Sequence, residues 1–292
     1  MNLNDPRDLL WMACICYGIS FATGMLKTFR VEIQWFRNVP ILAILCGFVA
    51  QTRALYLRGL EVQGCPLGNT LERTQFILWS LILAFLILRF MWRLNLLGTF
   101  CSGLAMGAGF LSLSLPGSDP PYWTDPDYIR LFSDPWVELH ASIAIFSYGL
   151  FSLLAIVSGM YLVQRNALLS RKPRLIGSFL PPIHDLEHAG FRLLSVGVAF
   201  LTLSIVVGGM HWTRHPEFVT STKLYVTLLL WLGYAILFFM RMGNHLYGSK
   251  FAKVSIALFC MAIISLSFVN SKSKKPQIPV SASSLVSLDP YK

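Results

Sequence analysis

Residues 136–163 read W-V-E-L-H-A-S-I-A-I-F-S-Y-G-L-F-S-L-L-A-I-V-S-G-M-Y-L-V, and this stretch decides the fold. Between His140 and Arg165 there is no Asp, Glu, Lys or Arg. A bilayer core is about 30 Å thick and takes about 20 apolar residues of helix to cross, so residues 141–163 are long enough. A second run, 193–210, reads L-L-S-V-G-V-A-F-L-T-L-S-I-V-V-G-G-M and ends against His211, with His215 four residues further on. One basic loop joins the two runs. Successive spanning helices run antiparallel, which brings the start of the first and the end of the second to the same membrane face. Neutral imidazoles offer lone pairs to metals, so histidines gathered there are candidates to hold a metal or the iron of a haem.

Composition extends this reading to the whole chain. Of 292 residues, 55% are hydrophobic and only 13% charged, with a mean hydropathy of +0.59. An ordinary soluble domain carries about twice that charge. Eight stretches approach spanning length: 9–26, 39–57, 75–91, 96–115, 136–163, 191–210, 224–240 and 252–269. The second is broken by Gln51, Thr52 and Arg53, which leaves seven as the alternative count. The fold expected is all-α, a polytopic integral membrane protein of about eight transmembrane helices occupying residues 1–270. The remainder, 271–292, is rich in Ser, Pro and Lys and has too little apolar surface to fold, so a disordered polar tail is expected. Asp5, Arg7 and Asp8 precede the first apolar run, unlike the positive start of a cleaved signal, so that run reads as a retained helix.

Basic residues near helix ends favour the cytoplasm. The loops after helices one, three, five and seven, with their flanks, hold thirteen Lys and Arg, against seven on the other face before the tail. Both termini are therefore expected outside, in a bacterial inner (cytoplasmic) membrane. Lys272, Lys274, Lys275 and Lys292 raise the outer count to eleven and narrow the asymmetry. Basic cytoplasmic loops account for most of the net charge of +10, so no nucleic-acid partner is implied.

On this topology the segment between Pro116 and Pro135 is external, with four aspartates and the rings of Tyr122, Trp123, Tyr128 and Phe132. Trp136 and Trp212 stand beside His140 and His211. These rings would cover a porphyrin by stacking or simply form the aromatic belt found at membrane interfaces. Pro216 restricts His215, which makes His211 the better second ligand. His184 and His188 lie four apart on the opposite face, on an amphipathic lead-in to helix six; two ligands alone are a weak metal signal. His245 reads as solvated. The six cysteines contain no CxxC pair. Arg53 should sit near a boundary, paired with a haem propionate, with Glu61 or with a lipid phosphate. Gly103 and Gly107 have the spacing of a helix-packing motif. No phosphate-binding loop, nucleophile elbow or paired intramembrane carboxylate occurs, and no catalytic chemistry of the chain's own is expected.

These residues also carry a resemblance. W-V-E-L-H-A-S-I-A-I-F-S-Y-G-L-F (136–151), L-P-P-I-H-D-L-E-H-A-G-F-R (180–192) and the run that follows resemble the cytochrome c assembly protein family, the CcsA-type haem-handling membrane proteins. Upstream, G-C-P-L-G-N-T-L-E-R (64–73) is similar to that family's G-x-x-P-x-x-N-x-x-E element before helix three. The resemblance covers most of 64–270. It implies haem held non-covalently (b-type) at the external face during cytochrome c maturation, with His140 as an iron ligand and other cytochrome c biogenesis membrane proteins as partners. The chain departs from the pattern in three places. The tryptophan-rich segment expected near 210–223 is missing. Phe238 and Phe239 stand where a histidine is expected, and no histidine follows His245. The match is thus to a shorter, eight-helix accessory branch. Three functions compete: a haem-holding protein using His140, His211, His215, Trp136 and Trp212; a cofactor-free scaffold of a respiratory or assembly complex; and a transporter of haem or a similar amphiphile.

Overall fold

The structure is a computed structural model that describes residues 4–28, 38–62, 64–91, 95–116, 135–169, 181–212 and 221–268. The tail and the aromatic segment 117–134 lie outside the described residues. The described residues form eight helices: α1 (Pro6–Thr28), α2 (Val39–Val62), α3 (Thr70–Met91), α4 (Asn95–Ser114), α5 (Pro135–Leu169), α6 (Ile183–Trp212), α7 (Ser221–Met242) and α8 (Gly248–Phe268). All eight are long and apolar enough to cross a membrane. The chain is an integral membrane protein of the expected class.

The helices fall into two groups of four. In the first, α1 packs on α2 and α4, and α3 on α2 and α4; in the second, α6 packs on α5 and α7, and α8 on α5 and α7. Helix α5 joins the groups by lying against α3, α4, α6 and α8, and it is the most buried of the spans. Every residue from Ser147 to Leu154 is buried. A helix covered on all sides reads as uniformly apolar, which is why 136–163 shows no polar stripe. Gly149 permits the closest approach: a β-carbon there would run into Ser80 Cβ and sit 2.9 Å from the Leu81 backbone nitrogen on α3. On the other side Phe151 stacks on Tyr234 of α7, ring centres 3.7 Å apart.

Ends are set by local chemistry. Pro6 opens α1 where its missing N–H is not needed, and Asp5 Oδ1 accepts the Arg7 N–H at 2.9 Å. Asn244 ends α7 by taking a left-handed φ of 61°, which lets the His245 N–H return to the Met240 carbonyl at 2.9 Å.

The break at Gln51 in the second span is resolved by pairing. Tyr17 OH donates to Gln51 Oε1 (2.8 Å), Gln51 Nε2 to Gln75 Oε1 (2.9 Å), and Gln75 Nε2 to Ser112 Oγ (3.0 Å). This buried chain runs through α1, α2, α3 and α4. Since buried polar groups are tolerated when bonded, α2 continues to Val62 rather than stopping at 57. Helix α3 likewise begins at Thr70, before the apolar run, and α6 at Ile183, so the lead-in and the span are one helix. Of the partners expected for Arg53, Glu61 is not adopted: Arg53 Nη2 donates to Asn4 Oδ1 (3.3 Å), while Glu61 pairs with Arg58 (3.7 Å). Gly103 packs against the Phe21 ring of α1, but a β-carbon at Gly107 would meet nothing within 4 Å, so the two glycines do not form one packing motif.

Candidate functional site

The starts of α1, α3 and α5 share one face with the ends of α2, α4 and α6. Contacts fix this: Arg7 Nη2 donates to the Leu113 carbonyl (3.1 Å), Cys65 N–H to Glu138 Oε1 (2.6 Å), and His140 meets Ser204.

The site grows from the first turns of α5. Residues two apart on a helix point about 200° apart, so Glu138 and His140 address different neighbours. Glu138 holds the α2–α3 connection through the Cys65 N–H, and Cys65 Sγ lies 3.3 Å from Ser142 Oγ. Burial pushes the Cys65 thiol above its ordinary range, with the Ser142 hydrogen bond pulling partly back. Next along, Asn69 Oδ1 accepts the Glu72 N–H (2.7 Å) and Glu72 Oε2 accepts the Gly68 N–H (3.0 Å). This variant of the capping box gives the N-x-x-E part of 64–73 its physical meaning. It starts α3 and presents Cys65 to α5, and both Asn69 and Glu72 are buried.

His140 turns the other way, onto α6. Its Nδ1 lies 2.7 Å from the Ser204 carbonyl oxygen. A carbonyl can only accept, so Nδ1 carries the hydrogen, and in the neutral ring the lone pair resides on Nε2. Ser204 Oγ is 3.0 Å from the same nitrogen and also donates to the His140 carbonyl at 3.0 Å. The ring lies against Gly208, where a β-carbon would come within 2.6 Å of Nδ1 and 2.7 Å of Cε1. The tautomer is set by one backbone carbonyl and the ring position by a missing side chain. Metal-binding histidines are held this way, their second ring N–H given to a carbonyl or carboxylate.

The other sequence candidates divide. Trp136 is at the start of α5 and half-exposed. His211 and Trp212 are the last residues of α6; their side chains, and the whole of His215, lie outside the described residues. By backbone register His211 comes seven residues after Ser204 and three after Gly208, on the same helical stripe. Sequence reasoning missed Ser204 and Gly208 as partners of His140. The signal available was the S-x-x-x-G-x-x-H spacing of 204–211. On the opposite face Phe238 stacks on Phe191 (5.8 Å between centres), and Arg241 lies over the Phe191, Tyr247 and Phe251 rings while pairing with Glu187 at 3.0 Å. Aromatic packing fills the position where the resemblance expects a histidine.

Among the described residues, no three His, Cys, Asp or Glu side chains converge on a metal position. A bare zinc ion needs three or four protein ligands, whereas a porphyrin brings four nitrogens of its own. One oriented imidazole therefore suits a haem better than a naked ion.

Residues 67–275, more than half of the chain, match the family described as Cytochrome C assembly protein. The chain belongs to that family. Over 258 residues it is 25% identical to Protein HemX of Brevibacillus brevis, covering 86% of this chain and 93% of that one. It is 24% identical to the cytochrome c biogenesis protein CcsA of Cyanidium caldarium, over 80% of this chain and 88% of CcsA. Protein NrfI of Wolinella succinogenes is 27% identical over 67% of this chain, which is only 21% of NrfI. The family match covers α3 to α8 and so includes both helices that build the His140 site.

Proposed function

We propose that the chain acts in cytochrome c maturation by holding haem at the external membrane face. His140, through Nε2, and His211 are the residues that would hold its iron. The observation that carries this reading is the 2.7 Å bond from His140 Nδ1–H to the Ser204 carbonyl, because it directs the lone pair of a half-buried imidazole at the end of a spanning helix. Family membership supplies the context. Haem bound there would be presented for thioether attachment elsewhere; this chain's residues would ligate and orient it and form no thioether to it. Trp136 and Trp212, at the two helix ends, are suited to cover an apolar ring. The charge asymmetry of the loops favours this face as the external one, with both termini external and a bacterial cytoplasmic membrane as the home. Membership of a cytochrome c assembly family favours other cytochrome c biogenesis membrane proteins as its partners.

The test is a titration of purified wild type, His140→Ala and His211→Ala with haemin, read by visible absorption. The reading requires a Soret band with a low-spin bis-imidazole spectrum for wild type. His140→Ala should lose most of the band, and His211→Ala should shift to a high-spin, five-coordinate form. Binding unchanged in His140→Ala overturns it.

A further inference from the structure

On the face opposite His140, the first two turns of α6 carry His184 and His188, both exposed. Their Nε2 atoms are 3.1 Å apart and their ring centres 4.3 Å, with the planes inclined at 66°. Residues four apart share a helix face, and here each ring turns its Nε2 toward the other. With metal–nitrogen bonds of about 2.0–2.1 Å, two cis ligands on one ion stand about 2.9 Å apart at a right angle and about 3.3 Å apart at the tetrahedral angle. The observed 3.1 Å falls between these values.

We infer that His184 and His188 form a two-nitrogen chelate for a late divalent transition metal, the remaining positions being filled by water or by a small ligand. Imidazole pairs suit copper, nickel and zinc, and the affinity order puts Cu²⁺ first. The charges around the pair are mixed. Asp185, exposed on the same turn, favours a cation. Glu187 is already committed to Arg241 (3.0 Å) and to the Gly248 N–H (3.3 Å). The helix N-terminus and Arg192, one turn beyond His188, oppose a cation. The site is accordingly a moderate-affinity, exchangeable one rather than a buried structural centre. It shares no residue with the His140 site and is independent of the haem reading.

The experiment uses the full chain in detergent or nanodiscs, purified without a polyhistidine tag, and titrated with Cu²⁺. Wild type should bind one copper per chain in equilibrium dialysis, with the two-nitrogen hyperfine pattern in electron paramagnetic resonance, and copper should raise its thermal midpoint. His184→Ala and His188→Ala should each weaken binding at least tenfold and abolish the thermal shift, while His140→Ala retains both. Both residues are exposed, so the metal-free variants should melt with wild type; His188→Gln serves in place of a variant that does not. Absence of copper on wild type, or undiminished binding by His184→Ala and His188→Ala, overturns the assignment.

Discussion

Gly208→Ala tests the site through one methyl group. The added carbon would lie 2.6 Å from His140 Nδ1, against an optimum of about 3.5 Å for non-bonded contact. The ring must therefore retreat by about 0.9 Å. A retreat of that size along the bond to the Ser204 carbonyl would open the present 2.7 Å to as much as about 3.6 Å, beyond hydrogen-bonding range. Loss of the orienting partner of a metal ligand lowers affinity about 10–100-fold, equivalent to about 1.4–2.7 kcal/mol. Gly209→Ala is the matched control, since a β-carbon there meets nothing within 4 Å. Both substitutions gain the same helix propensity, about 1 kcal/mol, so any difference between them reports the ring. Haemin titration followed at the Soret band should give a Kd 10–100-fold higher for Gly208→Ala and a wild-type Kd for Gly209→Ala. Equal affinities and spectra in the two variants would refute the argument that Gly208 seats the imidazole.

Gln51→Leu strands the Tyr17 hydroxyl and removes a donor to Gln75, and should lower stability in detergent by about 0.6–2 kcal/mol. Tyr17→Phe, which removes only one terminal donor, should cost less; a larger effect of Tyr17→Phe on the thermal midpoint would contradict the order of the chain. Glu138→Ala removes a charged acceptor of the Cys65 N–H, and should speed hydrogen exchange at Cys65 while lowering stability by about 1.5–3 kcal/mol. Glu138→Gln should fall between. A chain keeping Cys65 alone should alkylate more slowly at neutral pH than an unfolded cysteine peptide, because burial raises the thiol pKa and thins the thiolate. The rate should climb only as pH rises further, and Ser142→Ala, which withdraws the one hydrogen bond opposing the shift, should slow it more.

Spanning helices were legible because the bilayer imposes length and apolarity at once, and the eight runs answer to both. Element ends were less legible. Thr70 and Ile183 begin their helices with polar turns that hydropathy ignores, and the cap at Asn69 becomes visible only through its bond to Glu72. Gln51 looked like an interruption because its partners, Tyr17 and Gln75, lie on other helices. At the candidate site His140 stood out as a polar residue against an apolar run. Ser204 and Gly208 did not, since serine and glycine are common in packed membrane helices and nothing local marks which of them faces a histidine. Asn4 was not foreseen as a partner of Arg53 for a related reason: charge alone cannot distinguish Glu61, nearby in sequence, from Asn4, nearby in space.

The hydrogen-bond chain from Tyr17 to Ser112 closes the first four helices on one another without any atom from the last four. During synthesis that half of the polypeptide already holds the partners its intramembrane polar groups need, before α5 leaves the ribosome. The second half enters beside a finished neighbour whose α3 offers a surface that Gly149 fits.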